Sequence, residues 1–135
     1  MAPAEQMAGG MPQPGNRRTL LCIDDDPGVL SLRREHLEYK GFHVLSAESG
    51  RRGLELLALH PVDCVIVDYQ MPEMNGCQVA AAIKKSSPKI PVLMVSGGDV
   101  PEHELGSVDS LIGKQELPSK VLERVEALLF VASRR

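Results

Sequence analysis

The sequence predicts an α/β domain: a doubly wound, five-stranded parallel sheet with strand order 2-1-3-4-5 and a short or irregular fourth helix. Two observations predict it. Five short β-rich runs punctuate the chain, and several are apolar along their whole length rather than on alternate residues, which is how strands read when helices cover both faces of a parallel sheet. Between the runs lie stretches with helical punctuation, and right-handed crossovers turn such a β-α alternation into a doubly wound sheet. The chain of 135 residues, 43% hydrophobic and 24% charged, suffices for one such domain with a real core.

Residues 1–18 hold three Met, three Pro and three Gly without helical or strand period and are expected to form a flexible tail before a domain at 19–135. The first strand is Leu20–Ile23. Asp26-Pro27 opens a helix as N-cap and first-turn residue, Leu30 and Leu37 face inward, and Gly41 ends it. The second strand is Val44–Ala47, followed by a helix with Leu54, Leu57 and Ala58 as its inward stripe before Pro61. The third strand, Val62–Val67, leads to a helix that starts after Asn75-Gly76 and buries Val79, Ala82 and Ile83. Val92–Val95 is the fourth strand. Gly97, Gly98 and Pro101 argue against a long helix after it, leaving a short one near Glu102–Leu105. A weak fifth strand at Leu111–Ile112 precedes the clearest helix, Pro118–Ala132, with Val121, Leu122, Val125, Leu128 and Leu129 on one side.

Composition removes several functions. The balance of 15 Lys and Arg against 18 Asp and Glu gives a net charge of −3, without the basic field that holds nucleic acid or an anionic membrane. Two Tyr, two Phe and no Trp offer few platforms for bases or flavins, which counts against an FMN-binding enzyme. Three Cys without CxxC spacing and four dispersed His give neither a disulfide framework nor a zinc site. Gly113-Lys114 is no phosphate-binding P-loop, because position 108 is Val and Gln115 stands where a hydroxyl is required. No stretch reads as a membrane span or signal peptide, and the expected location is cytoplasmic.

Open parallel sheets bind ligands beyond the carboxyl ends of their strands. Asp24, Asp25 and Asp26 follow the first strand, Asp68 the third, Ser96 the fourth, and Lys114 the fifth. In the order 2-1-3-4-5 the first and third strands are neighbours, so the acids share one edge with Ser96 and Lys114 beside them. Clustered carboxylates repel one another unless a hard divalent cation compensates them, and the charge favours Mg2+. A carboxylate held there can attack phosphorus while a lysine and a hydroxyl bind the other oxygens. Asp68, alone at the central strand, is the expected nucleophile. Asp26 reads instead as a helix cap.

The runs Leu21-Cys22-Ile23-Asp24-Asp25-Asp26-Pro27, Val65–Gly76 with its Asp68, Met71-Pro72 and Asn75-Gly76, Val92-Leu93-Met94-Val95-Ser96, and Gly113-Lys114 resemble the receiver domains of two-component response regulators, of flavodoxin-like fold. The resemblance spans about Thr19 to Val131. It implies that Asp68 is the phosphoacceptor, that Asp24, Asp25, Asp68 and the backbone carbonyl of Gln70 hold Mg2+, and that Ser96 and Lys114 bind the phosphoryl oxygens. It also implies a sensor histidine kinase or histidine phosphotransfer protein as donor.

Three departures accompany it. Gln115 stands where the family usually has a cis-proline, Leu111 replaces the usual switch aromatic, and the Ser96-to-Lys114 connection is about one turn short. The expectation is a free-standing switch whose only catalysis is its own phosphorylation and dephosphorylation. It hands its signal to a downstream protein and contacts neither DNA nor membrane. A receiver-like docking module that no longer depends on phosphorylation is the alternative.

Overall fold

The computed structural model describes residues 17–134; the sixteen residues that make up most of the expected tail lie outside them. The elements run β1 (Thr19–Ile23), α1 (Pro27–Tyr39), β2 (His43–Ala47), α2 (Gly50–Leu59), β3 (Cys64–Asp68), α3 (Gly76–Ser86), β4 (Val92–Ser96), a 3-10 helix (Glu102–Ser107), β5 (Ser110–Gly113) and α4 (Pro118–Ala132). All strands pair in parallel in the order β2-β1-β3-β4-β5.

Alternate strand residues feed two cores. Leu20, Cys22, Cys64, Ile66, Leu93 and Val95 meet Leu30 and Leu37 of α1 and Val121, Val125 and Leu129 of α4. Leu21, Ile23, Val65, Val67, Val92 and Met94 meet Leu56 of α2 and Val79, Ala80 and Ile83 of α3. With both faces covered, β3 and β4 are buried at every residue, and their ends can hold polar groups out of water. Burial pushes the Cys22 and Cys64 thiols up to about 12, so both serve as small apolar side chains.

Local signals act as the sequence indicates. The Asp26 carboxylate accepts from the Gly28 and Val29 amides, and Asn75 with Gln78 forms a reciprocal cap on α3. Gly41 ends α1 with φ 103°, a conformation that suits glycine.

Some expectations need correction. The strand expected from Val62 starts at Cys64, because Asp63 is tied to Thr19 by a backbone hydrogen bond and by its carboxylate. On α2 the fully buried positions are Gly50, Gly53 and Leu56. Leu54 and Leu57 only flank the core, and Ala58 is exposed. A Cβ on Gly53 would overlap the Ile23 side chain, so the helix rests its bare backbone on the sheet. On α3 Ala80 is buried where Ala82 was expected to be. The fifth strand is Ser110–Gly113, longer than the Leu111–Ile112 core of its signal. The irregular fourth connection is the 3-10 helix, which buries no residue completely.

Candidate functional site

Asp24, directly after β1, is fully buried. Its amide bonds to the Ala47 carbonyl, and its Oδ1 accepts from the Asp26 amide at 2.9 Å. Asp25 beside it is exposed. Asp68 ends β3 at 1% exposure, and each of the three acids offers an oxygen within 4.8 Å of the others. The loop after Asp68 is pinned by the Tyr69 amide on Val95 and by the Gly76 amide on the Tyr69 carbonyl, at 2.9 and 2.8 Å.

Lys114, past the end of β5, places Nζ 3.1 Å from Asp68 Oδ1. Its backbone amide bonds to the Ser96 carbonyl, so β4 holds the lysine in register. The peptide at Gln115, like every other among the described residues, is trans. Ser96 is buried, and its hydroxyl donates to the Gly98 carbonyl at 2.8 Å while accepting from the Gly98 amide. The structure thus brings Asp24, Asp25, Asp68 and Lys114 together, whereas the Ser96 hydroxyl bonds within its own loop. Gln70 lies two residues beyond Asp68 with its side chain exposed.

Burial and then the charge of Asp24 raise the Asp68 carboxyl above the usual carboxylate range, against the opposing pull of Lys114. Desolvation pushes Lys114 down, but its close approach to Asp68 and the charges of Asp68, Asp24 and Asp25 outweigh it and hold the ammonium above its ordinary value. Asp24 Oδ2 and both Asp68 oxygens are buried without an aligned hydrogen-bond donor. Buried carboxylate oxygens in that condition are costly unless a cation completes them, and an all-oxygen donor set suits Mg2+. The residues fit the ion.

Two further residues belong to this neighbourhood. Arg33 reaches from α1 to within 3.9 Å of Asp24 Oδ2. Its spacing from Leu30 and Leu37 marks the inward face of the helix, a signal that the search for apolar stripes passes over. Tyr69 donates its hydroxyl to Glu104 of the 3-10 helix at 3.1 Å. No local pattern links two residues 35 positions apart.

A doubly wound parallel sheet thus carries three acids and a lysine together at its carboxyl edge, the arrangement of an α/β protein with an acidic cation pocket beside a fixed ammonium. Residues 20–112 match the response regulator receiver domain family, and the chain belongs to that family. It is 44% identical over 84 residues to the transcriptional regulatory protein GlrR of Escherichia coli, which covers 62% of this chain but 19% of GlrR. The receiver domain protein (CheY-like) of Methanospirillum hungatei superposes with a TM-score of 0.84 at 24% identity, over 88% of this chain and 98% of that one. Response regulator TrrA of Thermotoga maritima, solved in complex with Mg2+-BeF, superposes with a TM-score of 0.78 at 25% identity, over 82% and 98%. The chain therefore spans about a fifth of the length of GlrR and nearly the whole of these two solved domains. Receiver domains serve phosphorylation-dependent two-component signalling, receive phosphoryl groups from histidine kinases and bind Mg2+ in their acidic pocket.

Proposed function

We propose that this chain is a phosphorylation switch in a two-component phosphorelay, taking a phosphoryl group onto Asp68 from a sensor histidine kinase or a histidine phosphotransfer protein. The observation that carries it is the pair of buried Asp68 oxygens without aligned donors, facing Asp24, Asp25 and the Lys114 ammonium. Asp24, Asp25, Asp68 and the Gln70 carbonyl would hold Mg2+, which when bound neutralises charge on the phosphoryl oxygens.

An Asp68 oxygen attacks phosphorus in line, the P–N bond of the phosphohistidine breaks, and its electron pair leaves with the imidazole nitrogen. The Lys114 ammonium binds an equatorial oxygen as the carboxylate charge it now pairs with is consumed. The Ser96 hydroxyl exchanges the Gly98 carbonyl for a phosphoryl oxygen, which frees the Gly98 loop. The net charge of −3 leaves the output to a protein partner rather than to nucleic acid. Among the described residues no helix is long and apolar enough to cross a membrane.

The test is the intact mass of the protein after incubation with acetyl phosphate, with and without Mg2+, beside Asp68→Asn. A single Mg2+-dependent phosphoryl adduct that the variant lacks is the expected result. Full labelling of Asp68→Asn defeats the assignment.

Two observations favour a second reading, a docking module independent of phosphorylation. The Ser96 hydroxyl is already satisfied by Gly98, and Leu111 on β5, 37% exposed, has no ring to flip. A folded, Mg2+-binding protein that forms no adduct would establish that reading.

A further inference from the structure

Arg33 lies one turn after Leu30 and one turn before Leu37, and both leucines are buried, so its side chain leaves α1 on the inward face. Its side chain is 14% exposed, and Nη1 is buried without a hydrogen-bond partner. The nearest opposite charge is Asp24 Oδ2 at 3.9 Å, itself buried and without a donor. A guanidinium is permanently charged and presents five donors, so this placement is costly unless a carboxylate field offsets it. The acidic pocket supplies that field.

We propose that Arg33 is an internal counter-ion of the pocket, which opposes Mg2+ at Asp24 and sets the affinity for the ion. The proposal rests on the reading of Asp24, Asp25 and Asp68 as a cation site. Three carboxylates, Lys114 and Arg33 sum to −3 + 2 = −1, and without Arg33 the sum is −3 + 1 = −2. A divalent cation therefore meets half the negative charge it would otherwise find, at a distance where buried charges are weakly screened. The guanidinium also has somewhere to go. Arg33 lines a cavity of about 260 Å³ between α1 and α4, with Val29, His36, Lys114 and Glu116 among its walls. Glu116 offers an alternative carboxylate, and His36 Nε2 is a buried nitrogen without a partner. By linkage, a cation at Asp24 weakens the hold of Asp24 on Arg33 as much as Arg33 weakens the hold on the cation.

The experiment is a calorimetric Mg2+ titration of the full chain as wild type, Arg33→Met and Arg33→Lys. Arg33→Met keeps the volume and removes the charge, and it should tighten Mg2+ binding by about tenfold. Arg33→Lys should stay within about threefold of wild type, because it keeps the charge. Equal or weaker Mg2+ binding by Arg33→Met overturns the proposal. Should Arg33→Met not fold, the Arg33 side-chain NMR resonance in the wild-type protein decides. It must move on addition of Mg2+, and a resonance unmoved at saturation refutes the counter-ion role. Failure of the underlying reading looks different: wild type would bind no Mg2+ at all.

Discussion

At the scale of single residues, Asp68 is held at a thermodynamic disadvantage. Its folded carboxyl titrates above the value of about 3.9 expected in the unfolded chain, so the native state binds its proton more tightly. Without divalent ions, stability should therefore fall as pH rises from the unfolded value through the raised folded one, and stay lower above it. Asp68→Asn removes one of the crowded charges and should raise stability at neutral pH by about 1 kcal/mol, read by urea denaturation in EDTA. The gain should shrink at acid pH, where wild-type Asp68 is protonated. A destabilised Asp68→Asn would mean that the ion pair with Lys114 outweighs the repulsion from Asp24.

Between elements, glycine and tyrosine fix the loop that carries the acceptor. A Cβ at Gly76 would stand 2.7 Å from the Asp68 carbonyl and 3.0 Å from Tyr69 Cα, both backbone atoms. Gly76→Ala must push α3 off the end of β3, and should cost about 2 kcal/mol and weaken Mg2+ binding, measured by denaturation and titration. The Tyr69–Glu104 bond ties the residue after the acceptor to the 3-10 helix. Tyr69→Phe should accelerate hydrogen exchange at the Glu104 and Val108 amides, which bond within that segment to Pro101 and Leu105, and leave the β3 amides unchanged. The start of β4 is clamped separately. Asp109 accepts from the Val92 amide at 2.7 Å and pairs with Lys84 of α3 at 2.6 Å. Asp109→Ala leaves the Val92 amide unpaired and Lys84 with the Ile90 carbonyl alone, and should cost about 1–3 kcal/mol in denaturation.

Over the whole molecule, the sequence was most legible where one local cause dominates. Apolar runs mark every strand, caps mark the starts of α1 and α3, and strand order alone places Asp24, Asp25, Asp68 and Lys114 on one edge. It was less legible where backbone packs on side chain, as at Gly53 against Ile23, or where a charge occupies an apolar stripe, as at Arg33. The hydroxyl of Ser96 could be placed at the site but not given its partner, since a two-residue turn to Gly98 competes with any longer-range bond.

That edge couples the stability of the whole domain to the ion. A cation that binds only the assembled acids stabilises the fold by mass action, by about 2.7 kcal/mol at a concentration one hundred times its dissociation constant. The unfolded chain separates Asp24 from Asp68 and cannot match this. Thermal unfolding should therefore move upward with Mg2+ in wild type, and upward at lower Mg2+ in Arg33→Met. It should barely respond in Asp25→Asn, where an exposed acid with no structural hydrogen bond to lose is removed from the site. A Mg2+ response of Asp25→Asn equal to wild type would place the ion elsewhere on the molecule.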